Sequence, residues 1–252
     1  MAPIGSPDFG ANPSTNPTAP SYDPGEDTTR ILMGGGSQAR SGRWIFATGF
    51  EEGATPFIQS SASGTGGEAV IKSDITYQGV GAFSLKAGTT VNNFSYLQKT
   101  FLYPSSRYGI ELMFSRNYAL DSELSFTIMG GGKGSDKTKF RTGKIVLVIV
   151  TATPSVILYH DVNGSRTQII DLTAYVAGNP YLWHYLKMVF DFETNKISVI
   201  KFDDLILYPD LTGYEFANST ATTTIEVRNV NKYAGVNPNF YIDNLVITAD
   251  EP

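Results

Sequence analysis

A chain of 252 residues without cysteine is long enough for one large domain, and it can form neither a disulfide nor a thiolate metal site. Its net charge of −5 comes without a basic patch, which argues against nucleic acid as a direct ligand. Its longest apolar stretch, "KIVLVIV", is far too short to cross a bilayer, so no membrane partner is expected.

The first 42 residues differ in composition from the rest of the chain. They end in the glycine-rich stretch "MGGGSQARSG", and their prolines are Pro3, Pro7, Pro13, Pro17, Pro20 and Pro24. Such a segment buries too little apolar area to offset its conformational entropy, so we expect it to be disordered in isolation. It is either a simple tail or an extended arm, because 40 extended residues reach on the order of 130 Å, enough to cross a neighbouring subunit. The arm interpretation predicts an assembly of multiple copies, with "DTTRILM" (27–33) as a docking strand.

From residue 43 to residue 250 the dominant pattern is alternation of apolar and polar residues, which indicates β-strands. Between these segments stand glycine, asparagine, aspartate or proline, and no helical periodicity persists for three turns. The segments predict an all-β fold of two packed antiparallel sheets. The side chains expected in the core are Phe83, Leu85, Ala87, Tyr108, Ile110, Leu112, Phe114, Leu124, Phe126, Ile128, Ile225 and Val227. Those expected on the outer faces include Glu111, Ser115, Ser125, Thr127, Thr224, Glu226 and Arg228.

The stretch "WHYLKMVFDFETNKISVIKFDD" (183–204) reads as a strand, a turn and a returning strand. We expect strands at 183–190 and 197–202, with the turn at 193–196. The Trp-His pair that opens the hairpin resembles the concanavalin A-like lectin and laminin-G jelly rolls. Those domains end the returning strand on Asp-Gly or Asn-Gly, where this chain has Asp203-Asp204.

Three further stretches carry the same resemblance. "FATGFEEG" (46–53) is similar to the first strand of these jelly rolls, and "FYIDNLVIT" (240–248) to the last strand, which pairs beside the first. "GVGAFSLKAG" (79–88) is similar to a small-residue strand that follows. The resemblance spans about residues 44–248 and implies a jelly-roll sandwich at 43–250 behind the arm at 1–42. This fold hosts lectins, hydrolases, adhesion modules and viral coat components, so the fold alone does not give the function.

Glycosidases of this fold carry a Glu-x-Asp-x-(x)-Glu strand, which places its carboxylates on one face. The chain has no such motif. Asp121 and Glu123 form only a pair, Glu111 stands alone, and the adjacent Asp203 and Asp204 should point to opposite sides of a strand. The sequence therefore predicts a protein that is not an enzyme.

The two histidines offer weak alternatives to that conclusion. His184 is either a general base or metal ligand, or a half-buried strand residue satisfied locally, and the resemblance favours the second interpretation. His160 precedes an Asn163-Gly164 pair that predicts a hairpin turn.

The resemblance also implies a structural calcium ion. In jelly-roll carbohydrate-binding modules an acidic residue after the first strand and an aspartate of the last strand share Ca²⁺. The matching positions are Glu51 or Glu52 and Asp243. Calcium needs 6–8 oxygen ligands, so backbone carbonyls would supply the rest. The alternative is that Asp243 accepts backbone hydrogen bonds at the sheet margin.

Exposed aromatic and amide side chains near turns are the expected glycan contacts. The residues that meet this description best are Tyr181, Tyr214, Tyr233 and Asn231. Each tyrosine is alternatively a rim residue of the core that keeps its hydroxyl in water.

These observations favour a structural protein of a virus particle, a capsid decoration or tail-associated component of a tailed bacteriophage. Its partners would be other virion proteins, contacted through residues 1–40, and glycans of the host surface. Location in the virion follows from that hypothesis. The alternative is a carbohydrate-binding module or lectin, extracellular or on the surface of a bacterium.

Overall fold

The computed structural model describes residues 43–50, 59–77, 81–102, 105–117, 122–131, 139–150, 155–176, 181–217 and 222–251. These residues form two antiparallel sheets. The nine-stranded sheet contains β1 (Arg43–Thr48), β3 (Gly67–Lys72), β4 (Ala82–Ala87), β6 (Arg107–Arg116), β11 (His184–Asp191), β12 (Lys196–Phe202), β13 (Leu205–Leu207), β14 (Leu211–Thr212) and β17 (Asn239–Ala249). The eight-stranded sheet contains β2 (Gln59–Ala62), β5 (Phe94–Phe101), β7 (Ser122–Gly131), β8 (Lys139–Val150), β9 (Ser155–Val162), β10 (Ser165–Asp171), β15 (Tyr214–Ala217) and β16 (Thr223–Asn231).

The strand orders define a jelly-roll sandwich, as the sequence predicts. The nine-stranded sheet runs β13-β12-β11-β6-β17-β4-β3, with β1 on β17 and β14 on β12. The eight-stranded sheet runs β10-β9-β8-β7-β16-β5-β2, with β15 on β8. The helical content of the described ranges is a single turn, α1 (Thr173–Val176). No helix in those ranges has the length and apolar character needed to span a membrane.

The core lies between the sheets and uses the side chains that the alternation predicts. Tyr108, Ile110, Leu112 and Phe114 of β6 are all fully buried. Phe114 contacts Phe126 of β7 in the opposite sheet, with ring centroids 6.1 Å apart. Because successive strand residues point to opposite faces, the residues between these apolar positions form the outer faces of the sandwich.

The first and last described strands pair, as the resemblance implies. β1 runs beside the second half of β17, from Arg43 opposite Ala249 to Thr48 opposite Leu245. β4 runs beside the first half of β17. The first strand starts earlier than the predicted 46–53, and residues 51–58 lie outside the described ranges.

The β11–β12 hairpin lies where the sequence predicts it, with limits that differ by one or two residues. Its turn occupies residues 192–195, and Asn195 adopts a positive φ of 59°. Asp191 fixes the entry to the turn, because its Oδ1 accepts the backbone N–H groups of Glu193 at 2.7 Å and Thr194 at 3.2 Å. Its Oδ2 accepts a hydrogen bond from Arg107 Nε at 2.9 Å.

Glu111 lies on an outer face, as expected, but it is fully buried there. Lys187 on the neighbouring β11 donates to Glu111 Oε1 at 2.9 Å and to Glu251 Oε1 at 2.8 Å. A Cβ atom at Gly109 would lie 2.4 Å from Thr248 Oγ1 and 2.7 Å from Glu251 Oε1. Glycine at that position therefore leaves room for Glu251 to cover the ion pair.

Candidate functional site on the outer face of the eight-stranded sheet

The outer face of the eight-stranded sheet carries polar side chains that are shielded from solvent. Alternation on β7 sends Leu124, Phe126 and Ile128 into the core and leaves Glu123, Ser125 and Thr127 outside. These three outward residues are nevertheless buried, and so is Glu226 on the adjacent β16. We call the outward side chains of this sheet the curved face, for the reason given next.

One ion pair shows that the sheet bends around this face. Arg166 on β10 donates to both carboxylate oxygens of Glu123 on β7, at 2.5 and 2.9 Å. Arg166 pairs with Asp161 of β9. Glu123 pairs across β8 with the level of Ile157 on β9, which is four residues from Asp161 along that strand. In a flat sheet the two Cα atoms would lie roughly 19 Å apart, since strands are about 4.8 Å apart and rise about 3.3 Å per residue. Side chains close such a distance only where the sheet is concave and they converge.

Glu123 is held as a carboxylate by two cations. Lys232, just after β16, lies 3.2 Å from Glu123 Oε2, the oxygen that Arg166 Nη2 also contacts. Burial acts to raise the pKa of Glu123, but the hydrogen bonds and positive charges of Arg166 and Lys232 outweigh it, and the pKa is lowered. A carboxylate bound in this way is ionised at neutral pH.

Asp161 forms the second acidic position, at the hairpin between β9 and β10. Its Oδ1 accepts the backbone N–H of Gly164 at 2.8 Å, and its Oδ2 lies 3.3 Å from Lys144 Nζ and 3.5 Å from Arg166 Nε. Burial acts to raise the pKa of Asp161, but the Gly164 hydrogen bond and the two cations lower it overall. Asn163 and Gly164 both have positive φ, as the predicted hairpin turn requires.

Glu226 differs from these two carboxylates. Arg228 lies next to it on the same face of β16, with Nε 3.1 Å from Oε1 and Nη2 3.2 Å from Oε2. Burial nevertheless dominates and raises the pKa of Glu226, although Arg228 and Lys144 oppose the shift. The curved face thus combines two firmly ionised carboxylates with one that gains a proton more readily.

The guanidinium of Arg228 lies against two aromatic rings of β5. Its central carbon is 4.7 Å from the ring centroid of Phe94 and 5.4 Å from that of Tyr96. The two rings are stacked, with centroids 6.1 Å apart. Planar hydrogen-bonding groups beside aromatic rings can recognise a ligand that has both apolar faces and hydroxyl groups.

The histidine of the opening hairpin lies away from the curved face. His184 is buried between Phe114 and Phe202, and its Nδ1 is 2.8 Å from Asp203 Oδ2. Asp203 Oδ1 accepts the backbone N–H of Tyr185 at 2.8 Å. The histidine and the first aspartate of the opening hairpin therefore hold the start of β11, in agreement with the local interpretation of His184.

The structure describes one of the three residues proposed for calcium. Asp243 is fully buried, with Oδ2 accepting the backbone N–H of Tyr77 at 3.0 Å and Oδ1 that of Asn244 at 2.7 Å. These contacts match the backbone alternative, whereas Glu51 and Glu52 lie outside the described residues. Within the described ranges no three His, Cys, Asp or Glu side chains converge as a metal-binding group. Calcium stays a prediction.

The four residues proposed as glycan contacts lie in different elements. Tyr181 and Tyr233 are exposed in the segment before β11 and the loop after β16, while Tyr214 begins β15 opposite Thr142, on the outward side of the eight-stranded sheet. Asn231 is fully buried, donating to Gly88 O and Val236 O at 2.7 Å each and accepting the N–H of Tyr233 at 2.8 Å. Its amide therefore supports the loop and has no polar atom exposed to a sugar. Contact by the tyrosines stays a prediction.

The residues of the curved face were available to sequence reasoning only as separate outward positions. Alternation correctly places Glu226 and Arg228 outside the core. The strand order and curvature of the sheet bring them together with Glu123, Asp161 and Arg166, and no local sequence pattern encodes these two properties.

The architecture is that of a concanavalin A-like jelly roll. No protein-family model matches the chain, and no curated protein matches its sequence. Among solved structures, "Cellulose induced protein, Cip1" is 12% identical, covers 81% of this chain and 96% of its own, and has a TM-score of 0.52. The carbohydrate recognition domain of Emp46p in its potassium-bound form is 13% identical, with 83% and 100% coverage and a TM-score of 0.50.

A third similar structure belongs to endo-acting O-glycanases that members of the human gut microbiota express to initiate mucin breakdown. It is 8% identical, covers 82% of this chain and 99% of its own, and has a TM-score of 0.50. At these identities the similarity establishes the shared fold and no shared activity.

Proposed function

We propose that the protein is a glycan-binding domain that binds its ligand on the curved face without cleaving it. The observation that carries the proposal is the position of Arg228, stacked on Phe94 and Tyr96 and paired with Glu226. Aromatic rings offer apolar contact to the C–H faces of a sugar ring, while guanidinium and carboxylate groups hydrogen-bond its hydroxyls. The Emp46p domain, a carbohydrate recognition domain of the same fold, supports this choice of ligand class.

The non-catalytic part of the proposal is supported by the environment of Glu123. The outward residues that follow it on β7 are Ser125 and Thr127, so the described strand lacks the succession of carboxylates on one face that retaining glycosidases of this fold use. That carboxylate is also bound by Arg166 through both oxygens. Incubation with the bound glycan should release no reducing ends, and time-dependent release would overturn this part.

A glycan array followed by calorimetry on the best ligand tests the binding proposal. Tyr96→Ala and Arg228→Gln should each weaken binding at least about tenfold, which corresponds to 1.4 kcal/mol or more. Tyr208→Ala is the matched control, because Tyr208 is 75% exposed and lies outside the curved face. Equal affinity of all four proteins would contradict the proposed site, and the absence of any array signal would contradict the function.

We further propose that the domain is displayed on a virus particle, as a capsid decoration or tail-associated component of a tailed bacteriophage, with residues 1–40 as its anchor. The support is the proline- and glycine-rich composition of that segment, which suits an arm that becomes ordered on a partner's surface. Display in many copies would add avidity to weak glycan binding.

Removing residues 1–40 separates this proposal from a free bacterial lectin or carbohydrate-binding module. The shortened protein should keep its glycan affinity and lose incorporation into particles. Incorporation that persists after the deletion would rule out the anchoring role while leaving the glycan proposal intact.

A further inference from the structure

A second cluster of aromatic side chains lies on the outer face of the nine-stranded sheet. It consists of Tyr77, Tyr181, Trp183 and Tyr241, together with the carboxylate of Asp74, and we call it the aromatic patch. The rings of Tyr77 and Trp183 have centroids 5.7 Å apart. The hydroxyl of Tyr241 donates to Asp74 Oδ2 at 3.4 Å. None of these residues belongs to the curved face of the other sheet.

The patch is built into the fold. The backbone N–H of Tyr77 donates to Asp243 of β17, which fixes that segment on the sheet. Tyr181 has a φ of +67°, an unfavourable value for a residue with a side chain, and its N–H donates to Arg116 O at 2.8 Å. This conformation leaves the Tyr181 side chain exposed, with 41% of its residue surface in solvent, and the adjacent Leu182 at 46%.

Tyr241 is the buried member of the patch. Burial raises the pKa of Tyr241 to about 12, with further contributions from the negative charge of Asp74 and from Tyr181. Tyr241 is therefore protonated at physiological pH, and its hydroxyl proton is donated to Asp74. Aromatic rings with polar edges are the usual surface for proline-rich segments, whose extended backbone leaves its carbonyl groups free to accept hydrogen bonds.

The chain itself contains such a segment. Prolines stand at positions 13, 17, 20 and 24, and Pro17 and Pro20 have the three-residue spacing that places them on one face of a polyproline II helix. Proline also lowers the conformational entropy that is lost when such a segment becomes ordered on a surface. No other stretch of the sequence has proline at this density.

The same segment reaches the patch of its own domain. β1 begins at Arg43 opposite Ala249, and Tyr241 lies eight residues back along β17, a distance of about 27 Å at 3.4 Å per residue. The connecting residues 25–42 extend to roughly 60 Å, twice what is needed. A tethered segment acts at an effective concentration in the millimolar range, which favours intramolecular binding over binding to a second copy.

We propose that, in the protein free of virion partners, residues 13–24 bind to the aromatic patch of the same chain, with prolines against the rings of Tyr77, Tyr181 and Trp183. This binding is independent of the glycan proposal, since it uses the opposite sheet, and docking of the arm on a virion partner would displace it.

Limited chymotrypsin digestion of the full chain tests the assignment, because Tyr22 is a cleavage site inside the segment. Tyr181→Ser should accelerate cleavage after Tyr22 about tenfold, since proteolysis follows the population of the open form. Replacing Pro17 and Pro20 by alanine should have the same effect. Combining the arm and patch substitutions should give no further acceleration, because both remove one contact. Tyr208→Ser is the matched control and should leave the rate unchanged.

Each alternative outcome is distinct. Equal cleavage rates in the wild type and Tyr181→Ser would overturn the proposal, as would full additivity of the two sets of substitutions. Protection that disappears on dilution would assign the patch to the arm of a second copy and would overturn intramolecular binding. Trp183→Ser is a second patch variant, and unchanged circular dichroism identifies the variants that retain the fold.

Discussion

At the scale of single residues, the ion pair of Glu111 and Lys187 should affect stability more than a surface ion pair, because both side chains are shielded from solvent. The Lys187 side chain is 5% exposed and contacts two carboxylates, Glu111 and Glu251. Burial acts to lower the pKa of Lys187, but the two glutamates outweigh it and the pKa is raised. The lysine is therefore charged at neutral pH.

We expect Lys187→Ala to lower the free energy of unfolding by about 3–5 kcal/mol, because it leaves two carboxylates buried without a cation. The control is Lys196→Ala, which removes an exposed pair with Asp210 at 3.0 Å and should cost at most about 1 kcal/mol. Urea unfolding at pH 7 measures both. Similar losses for the two variants would show that the buried pair has no special role.

For Glu226 we expect that removing the charge stabilises the protein. Its pKa is raised in the folded protein, so the unfolded chain loses this proton first, and stability falls as pH rises from the unfolded pKa toward the folded one. Glu226→Gln should therefore stabilise the protein at pH 7, and the gain should vanish below about pH 4, near the ordinary glutamate pKa. Thermal unfolding at both pH values measures this. A loss of stability at pH 7 would indicate that the Arg228 contact outweighs the cost of burial.

Sequence reasoning predicted which face these residues occupy but not their partners. Glu111 was placed outside the core correctly, while its burial depends on Lys187 and Glu251, which follow it by 76 and 140 residues (187 − 111 and 251 − 111). Alternation is a local property of a strand, whereas a pair between strands depends on their register.

At the scale of secondary-structure elements, the β11–β12 hairpin answers the question that its two adjacent aspartates raise. Asp203 adopts a φ of +49° and closes the hairpin, since its N–H donates to Tyr185 O at 3.0 Å while its carboxylate bonds His184 and the Tyr185 N–H. Asp204 is exposed. The two neighbours therefore have different roles, and one of them is structural.

Asp203→Ala should lower the free energy of unfolding by about 1–3 kcal/mol, because it leaves a buried histidine and a backbone N–H without their acceptor. Asp204→Ala is the adjacent control and should stay within about 0.5 kcal/mol of the wild type. The urea midpoints of the two variants give the comparison. A larger effect at Asp204 would show that the exposed Asp204, and not Asp203, stabilises the hairpin.

This hairpin was predictable because its pattern is short and its turn is local. The curvature of the eight-stranded sheet was not, since it is the sum of small rotations over many strands. Asp161 illustrates the difference: its place before the Asn163-Gly164 turn follows from the sequence, whereas its approach to Lys144 and Arg166 follows from the sheet.

At the scale of the whole molecule, the Arg166–Glu123 pair links an edge hairpin to the middle of the same sheet. A double-mutant cycle with Arg166→Ala and Glu123→Ala should therefore show a coupling energy between about 0.5 and 3 kcal/mol, measured by urea unfolding. The exposed pair of Arg43 and Asp250, 3.7 Å apart, is the control and should show coupling below about 0.5 kcal/mol. Independent effects of Arg166 and Glu123 would mean that the edge hairpin is not fixed across the curved face.

The position of β17 has a consequence for how the chain reaches this structure during synthesis. This strand pairs with β6 on one side and with both β4 and β1 on the other, yet among the described strands it is the last to leave the ribosome. Until then the nine-stranded sheet is divided into three unconnected parts, β6 with its neighbours, β4 with β3, and β1 alone. Their open edges favour intermolecular pairing. Contacts between residues about 200 positions apart also close slowly. We therefore expect the sandwich to form only after β17 has been synthesised, and its open edges to be prone to aggregation until then.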